Sequence, residues 1–224
     1  MKADIIIVNW NGREMLRRCL ASVAKLTFPR VTVTVVDNGS TDGSLEMMAE
    51  DFPRMRLIAL PLNTGFCHAN NAGIRATDGE FVALLNNDTV VDPEWLTELV
   101  RALEVRPAYG SASSRMVRMD DENVLDRVAD AFTSSGFMFP LGAHEPAEQF
   151  PEAFDILGAS AGAALYRRSA LEQVGLLDER FFAYLEDVDL SWRLQHAGWK
   201  SLYVPSARVV HEGSGTSLGL RNPW

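Results

Sequence analysis

Apolar and polar positions divide the first 110 residues into a regular alternation. Residues 3–8, ADIIIV, form a β-branched apolar run, the pattern of a buried strand. Residues 12–26 follow with Met15, Leu16, Cys19, Leu20, Val23 and Leu26 at helical spacing. The strand signal returns at VTVTVV (31–36), MRLIAL (55–60) and EFVALL (80–85). A short helix is expected after the turn cluster DNGSTDGS (37–44), and another over 66–76. Asp92 and Pro93 read as the N-cap and first residue of a helix to about 105. Strands alternating with helices predict a parallel sheet with helices on its faces.

The alternation stops after residue 110. Residues 111–155 are mixed in pattern and carry Gly136, Pro140, Gly142, Pro146 and Pro151. They read as a long specificity loop or a small insertion. Order returns with a strand at 161–168, helices at 169–175 and 185–198, and two short strands, SLYVP and ARVVH. Trp192 and Leu194 read as core. No repeat or linker divides the chain, so one domain is expected, with an α/β half at 1–110 and a mixed half at 111–224.

Polar residues gather where the strands end. Asn9, Asn11 and Gly12 follow the first strand; Asp37, Asn38 and Gly39 the second; Asn63, Thr64 and Gly65 the third; Asn86, Asn87 and Asp88 the fourth. Any one such loop is accounted for by turn chemistry. Four on the same sheet edge point to a binding crevice, because ligands of open parallel sheets sit beyond the carboxyl ends of the strands. Asp88 and Asn86 emerge there one residue apart, suited to a divalent cation. Asp92 takes the capping role in this reading, which leaves Asp88 free.

Two further features carry chemistry. Glu186, Asp187 and Asp189 crowd the start of an apolar helix. Such acids suit the positive end of a helix dipole. They equally suit a cleft lip, where a carboxylate deprotonates an alcohol or helps hold a metal. His211 ends the strand ARVVH before a glycine-rich turn, and a structural or a ligand role fits it equally.

Charge narrows the choice. The 224 residues are 47% hydrophobic and carry 30 acids against 21 bases, a net charge of −9. That balance excludes general nucleic-acid binding. A phosphate-bearing ligand would need a metal or backbone N–H groups as counter-charge. Cys19 and Cys67 form no metal pattern and fit a reducing cytosol. The N-terminal apolar run is too short for a signal peptide, and no stretch nears the ~18 residues of a membrane span. There is no P-loop. GSGTSLG (213–219) matches a dinucleotide fingerprint only in part.

IIIVNWNG, VVDNGSTDGS, NTGFCHANNAG, LLNNDT, GAALYRR, LLDERFFAYLEDVDLSWR and the closing GW, YVP and VVH occur in a set order. Together, over residues 3 to about 217, they resemble family 2 glycosyltransferases of the GT-A fold, in the branch of bacterial rhamnosyltransferases of cell-surface polysaccharide assembly. The resemblance implies a Rossmann-like, mostly parallel central sheet flanked by helices, with the donor nucleotide in the first half and the acceptor in the second. It implies inverting transfer from a nucleotide-diphosphate sugar, dTDP-rhamnose or a UDP-sugar, to a glycan or lipid-linked acceptor. Asp37 would bind the base and Asn9 would lie beside the nucleotide. Asn63, Gly65 and Asn71 fall in the segment that contacts nucleotide and sugar. Asn86-Asn87-Asp88 stands where the family has a DxD motif, leaving Asp88 as the main carboxylate for Mg2+ or Mn2+. Asp187, of the Glu186-Asp187 pair, matches the general base, and His211 a residue that reaches the metal or diphosphate. Asp189 reads as a helix-start charge. Relatives in this branch run on past the histidine with further helices, whereas this sequence ends at GLRNPW. A cytoplasmic site of action is expected, with peripheral association at the inner membrane face. Two alternative readings remain: a nucleotide-sugar-binding domain with little or no transferase activity, and a nucleotidyltransferase. The second is disfavoured because VNWNGRE has only Arg13 to meet a triphosphate.

Overall fold

The computed structural model describes residues 1–133, 135 and 137–213. The segment 214–219 of the partial dinucleotide fingerprint and the terminal GLRNPW lie outside them. In chain order the elements begin with β1 (Ala3–Asn9), α1 (Arg13–Val23), β2 (Val31–Asn38), α2 (Ser44–Asp51), β3 (Arg56–Leu60) and α3 (Phe66–Arg75). There follow β4 (Phe81–Asn86), β5 (Thr89–Val91), α4 (Trp95–Glu104), β6 (Tyr109–Arg118), β7 (Leu125–Arg127) and β8 (Ala129–Phe132). The last are β9 (Met138–Leu141), β10 (Phe154–Ile156), β11 (Ala163–Arg167), α5 (Arg168–Val174), α6 (Glu186–His196) and β12 (Lys200–His211).

Ten strands make one sheet, in the order β10-β12-β6-β11-β4-β1-β2-β3, with β5 beside β12 and β7 beside β6. Strands β1 to β4 are mutually parallel, as the alternation predicts. β12 runs parallel to β6, while β11 runs antiparallel between β4 and β6. The fold is thus α/β, a mixed sheet of mostly parallel strands flanked by helices. The chain steps from β1 outward to β2 and β3, then returns to place β4 on the other side of β1. A crevice opens at such a reversal, beyond the carboxyl ends of the strands.

Alternation along β1 explains both faces. Ile5 and Ile7 pack with Leu16 and Leu20 of α1, Met47 of α2 and Leu96 and Leu99 of α4. Ile6 packs the other way, with Ile74 of α3, Leu171 of α5 and Leu190 of α6. A strand with apolar side chains on both faces has no exposed side, which is why its sequence lacks polar alternation.

Three expectations change. The first concerns residues 111–155, which hold β6, a ten-residue strand at the middle of the sheet, and parts of smaller strands. Its SASS run reads as loop because serine is polar. Each hydroxyl is satisfied internally, however, so the strand tolerates burial. Ser111 Oγ pairs with Ser201 Oγ at 2.8 Å, Ser113 Oγ donates to the Val128 carbonyl at 2.7 Å, and Ser114 Oγ donates to the Ala163 carbonyl at 2.7 Å. The second is SLYVP and ARVVH, which form one strand, β12, with an irregularity between Val204 and Arg208. The third is Asp92, which does not cap α4. The helix starts at Trp95, while the Asp92 N–H bonds the Arg208 carbonyl at 3.2 Å, holding Asp92 to the sheet.

Trp95, fully buried, donates its indole N–H to Ser114 Oγ at 2.8 Å. Replacing Ser114→Ala strands that donor. The expected cost is about 1–3 kcal/mol, seen as a lower denaturation midpoint with an unchanged slope. An unshifted midpoint would show that the indole has another partner.

Candidate functional site

The ends of β1 and β4 open on a cleft of about 420 Å³, lined by Val8, Trp10, Asn38, Asn63, Gly65 and Asn86-Asn87-Asp88 on one side. Asp126, Arg127 and Asp130, the loop Ser160–Gly162, residues 182–187 and His211 line the rest. Strand pairing assembles the first wall. β5 runs antiparallel to β12 with Thr89 opposite His211, so Asp88 lies beside the histidine although 123 positions separate them in sequence. The Glu212 N–H bonds the Asp88 carbonyl at 3.0 Å and closes that corner.

Asp88 is 5% exposed, and its Oδ1 has no hydrogen-bond partner among the described residues. His211 Nε2 is 3.3 Å from that oxygen, but not in hydrogen-bonding alignment. The other ring nitrogen, Nδ1, meets Asp126 Oδ2 at 3.0 Å. Burial alone would lower the imidazole pKa; Asp126 and Asp88 outweigh it and raise it to about 9. A buried carboxylate oxygen without a donor, facing a nitrogen whose ring is oriented by a second carboxylate, fits a divalent cation, which would displace the imidazolium proton. No group of three His, Cys, Asp or Glu side chains converges on a metal position among the described residues. The pair therefore suits an ion that takes further ligands from substrate phosphates and water, as Mg2+ does.

The start of α6 lines the same cleft. The three carboxylates there separate by role. Asp189 turns away to Arg193 at 2.8 Å, a helix-face ion pair, so the helix-start reading holds for it. Asp187 lines the cleft, its Oδ2 accepting the Ala161 N–H at 3.1 Å and its Oδ1 the Val188 N–H at 2.9 Å. Glu186 is 6% exposed and its Oε2 lacks a partner among the described residues. Burial, then the charge of Asp187, pushes Glu186 up to about 7. Asp130 is pushed up to about 6 by burial and by Asp187, against the pull of Arg127, whose Nη1 is 3.1 Å away. The backbone before α6 is strained: Tyr184 and Leu185 have φ of 72° and 68°, at a cost on the order of 1–3 kcal/mol each.

The polar strand ends are not all exposed to the cleft. Asn9 and Asp37 are buried beneath it. Asn9 Nδ2 donates to Asp37 Oδ1 at 3.2 Å, its Oδ1 accepts from Asn87 Nδ2 at 2.8 Å, and Asp37 Oδ2 accepts the Ser40 N–H at 2.9 Å. In this structure those atoms brace the loops that form the floor. Asn63 and Gly65 do line the cleft. At Gly65, with φ of 88°, a Cβ would come within 2.7 Å of the Phe182 carbonyl oxygen, so only glycine allows that approach. Asn71 departs from expectation. Its amide donates to the Leu177 carbonyl at 2.8 Å and to Glu179 Oε1 at 2.9 Å, and accepts the Leu177 N–H at 3.2 Å. Both amide hydrogens and the oxygen tie α3 to the segment leading to α6, so in this structure it acts as a clamp. Trp192 also departs: it is 42% exposed, its ring 5.6 Å from Phe132, while Leu194 is core as expected.

Sequence reasoning missed Trp10, Asp126, Arg127 and Asp130. The three charged residues are the only ones between Asn123 and His144, a signal that the irregular pattern of the segment hid. Cys19 is the buried thiol expected of α1, pushed up to about 12 by burial and placed under the turn, 3.6 Å from the Asn86 carbonyl. No helix among the described residues is long and apolar enough to cross a membrane.

Comparison with known proteins agrees with this geometry. The chain is 33% identical to an N-acetylglucosaminyl-diphospho-decaprenol L-rhamnosyltransferase of Mycobacterium tuberculosis, over 92% of its own length and 75% of the relative's. It is 31% identical to an N-acetylglucosaminyltransferase of Mesorhizobium japonicum, over 99% of this chain and 54% of that one. Among solved structures it resembles GalNAc-T7 with UDP, GalNAc and Mn2+, at a TM-score of 0.77 and 19% identity, over 94% of this chain and 44% of that one. It also resembles the mannosyltransferase PcManGT from Pyrobaculum calidifontis in complex with GDP-Man and Mn2+, at a TM-score of 0.70 and 21% identity, over 96% of this chain and 58% of that one. These likenesses make the fold GT-A. The model of the family described as Glycosyl transferase family 2 matches residues 4–175, and with the rhamnosyltransferase relative it shows that this chain is a glycosyltransferase of that family.

Proposed function

We propose that the protein transfers a sugar from a nucleotide-diphosphate donor, dTDP-rhamnose or a UDP-sugar, to a hydroxyl of a glycan or lipid-linked acceptor, with inversion at the anomeric carbon. One observation carries this reading: a single cleft is lined by Asp88, whose Oδ1 has no hydrogen bond among the described residues, by His211 and by the Asp187 carboxylate. The donor half, 1–110, supplies the floor and the Asp88 corner, and the acceptor half, 111–224, supplies the base. Asp187 takes the proton of the acceptor hydroxyl as its oxygen attacks the anomeric carbon and the nucleoside diphosphate leaves. Two backbone N–H groups hold its oxygens, so its orientation is fixed before substrate arrives. Asp88 and His211 would hold Mg2+ or Mn2+, which when bound supplies positive charge for the departing diphosphate. Asn63, Gly65, Asn86 and Asn87 line the donor side; Asn9 and Asp37 hold that side in shape. Glu186 and Asp130, neutral for part of the population near pH 7, offer hydrogen bonds to acceptor hydroxyls without adding full charge beside the base.

Asp187→Asn keeps the shape of the base and removes its function. Turnover should fall by about 10²-fold or more, with nucleotide affinity within about twofold of the parent protein. A fully active variant would exclude Asp187 as the base.

Glu186 links the site to stability. Its folded pKa is raised from 4.5 to about 7, so the neutral acid is favoured in the folded protein. The stability it contributes is complete below about pH 4.5 and is lost as pH rises through about 7. Asp187 and Asp130 face it, and the raised Asp130 adds a slope of the same sign. Glu186→Gln should therefore flatten the fall in denaturation midpoint between pH 5 and pH 8, leaving the variant ahead of the parent at the upper end. Parallel profiles would mean that Glu186 is not buried in this way.

A further inference from the structure

Six of the eleven large apolar side chains exposed among the described residues fall in two short segments. Phe137, Met138 and Phe139, on the β8–β9 hairpin, are 73%, 38% and 40% exposed. Phe182, Tyr184 and Leu185, just before α6, are 54%, 64% and 49% exposed. The two groups form one rim. Phe132 of the hairpin packs on Trp192 of α6, and Met138 lines the same cleft as Phe182, Tyr184 and Leu185. The rim lies at the acceptor side of the mouth, beside Asp130, Glu186 and Asp187. A patch of this kind marks a surface that meets something apolar.

Charge points to the occupant. Residues 131–143, AFTSSGFMFPLGA, contain no ionisable side chain, in a chain that is 23% charged and carries a net charge of −9. A hairpin free of charge can enter a low-dielectric layer without the desolvation cost of an ion. Aromatic side chains favour the boundary between lipid and water. The left-handed backbone of Tyr184 and Leu185 holds two exposed apolar residues where local conformation disfavours them.

We propose that this rim is a lipid-docking surface: the β8–β9 hairpin seats in the interfacial layer of a bilayer and turns the cleft mouth toward the head of a lipid-linked acceptor. The assignment rests on the acceptor being lipid-linked, as it is by name in the mycobacterial relative. Contact is peripheral and driven by apolar burial, so it needs no anionic lipid and does not weaken with salt. An acceptor anchored in the bilayer keeps its lipid in place while its sugar enters the cleft between Asp130 and Asp187. A glycan acceptor in solution would give the rim no such partner.

Sedimentation with vesicles of pure phosphatidylcholine, at low and at high salt, tests this on the full chain. Three variants accompany the parent: Phe137→Ser with Phe139→Ser, Tyr184→Ser, and Leu62→Ser. Leu62, after β3, is 59% exposed, belongs to neither apolar group and does not line the cleft, and serves as control. The parent and Leu62→Ser should bind alike at both salts. The hairpin double variant should partition at least about tenfold less, and Tyr184→Ser should weaken partition to a smaller degree. Binding of UDP or dTDP, measured alongside, should be the same in the parent, the hairpin double variant and Leu62→Ser, none of whose changed residues lines the cleft. A parent protein that stays in solution with neutral vesicles overturns the proposal. So does a double variant that sediments like the parent. A concentration-dependent dimer lost in the double variant, without vesicle binding, would assign the rim to a second copy of the chain instead. Vesicle binding without nucleotide binding would contradict the transferase reading and leave the docking surface standing.

Discussion

The pairing of β5 with β12 is the contact on which the site depends. Three residues of β5 lie against the end of the last strand, with Thr89 opposite His211. This short ladder joins the turn after β4 to a strand formed more than a hundred residues later. Without it, Asp88 would end a strand with nothing facing it. With it, Asp88 and His211 share one corner, and Asp126 fixes the ring from behind. The rest of the architecture supplies the opposite wall. β11 and β6 continue the sheet from β4, and the loop before β11 gives Asp187 an N–H donor.

A second constraint is the cost of burying acids. Carboxylates removed from water are expensive unless paired. The fold pairs the acids it uses for structure: Asp189 with Arg193, Glu179 with Asn71, His68 and Arg75. Among the described residues it leaves Asp88 Oδ1 and Glu186 Oε2 without a hydrogen-bond donor, and both residues line the cleft. Asp4 Oδ1 is also unpartnered, at the other end of β1, but its second oxygen is held by the Gly79 N–H and Arg168. The two unpartnered acids of the cleft divide the chemistry. Asp88 has a nitrogen ligand beside it and suits a cation, whereas Glu186, raised to about 7 by burial and by Asp187, carries its proton for part of the population near neutral pH.

Much of this was legible in the chain. The four parallel strands, their polar ends and the helix behind Glu186-Asp187 follow from local patterns, because both faces of those strands are apolar and their turns need Asn, Asp and Gly. β6 was hidden for the opposite reason: its polarity is local, and the partners of Ser111, Ser113 and Ser114 lie far away in sequence. Asp92 looked like a helix cap until β12 took its N–H. Asn71 fell within a recognisable motif, yet its amide is consumed by the backbone of Leu177. Trp192 followed the helical period of core residues but lies at the edge of the apolar stripe, against Phe132. Asp130 owes its place to long-range packing, as it is bridged to Gly158, 28 positions away. No window of sequence around it contains that information.

Calorimetric titration of UDP and of dTDP into the protein, with Mn2+ and again with EDTA, tests the central claim most directly. One nucleotide should bind with Mn2+, lose most of its affinity in EDTA, and lose it equally in Asp88→Ala with Mn2+ present. Binding of the same strength in EDTA, or binding of neither nucleotide under either condition, would contradict a cation-assisted donor site at Asp88 and His211.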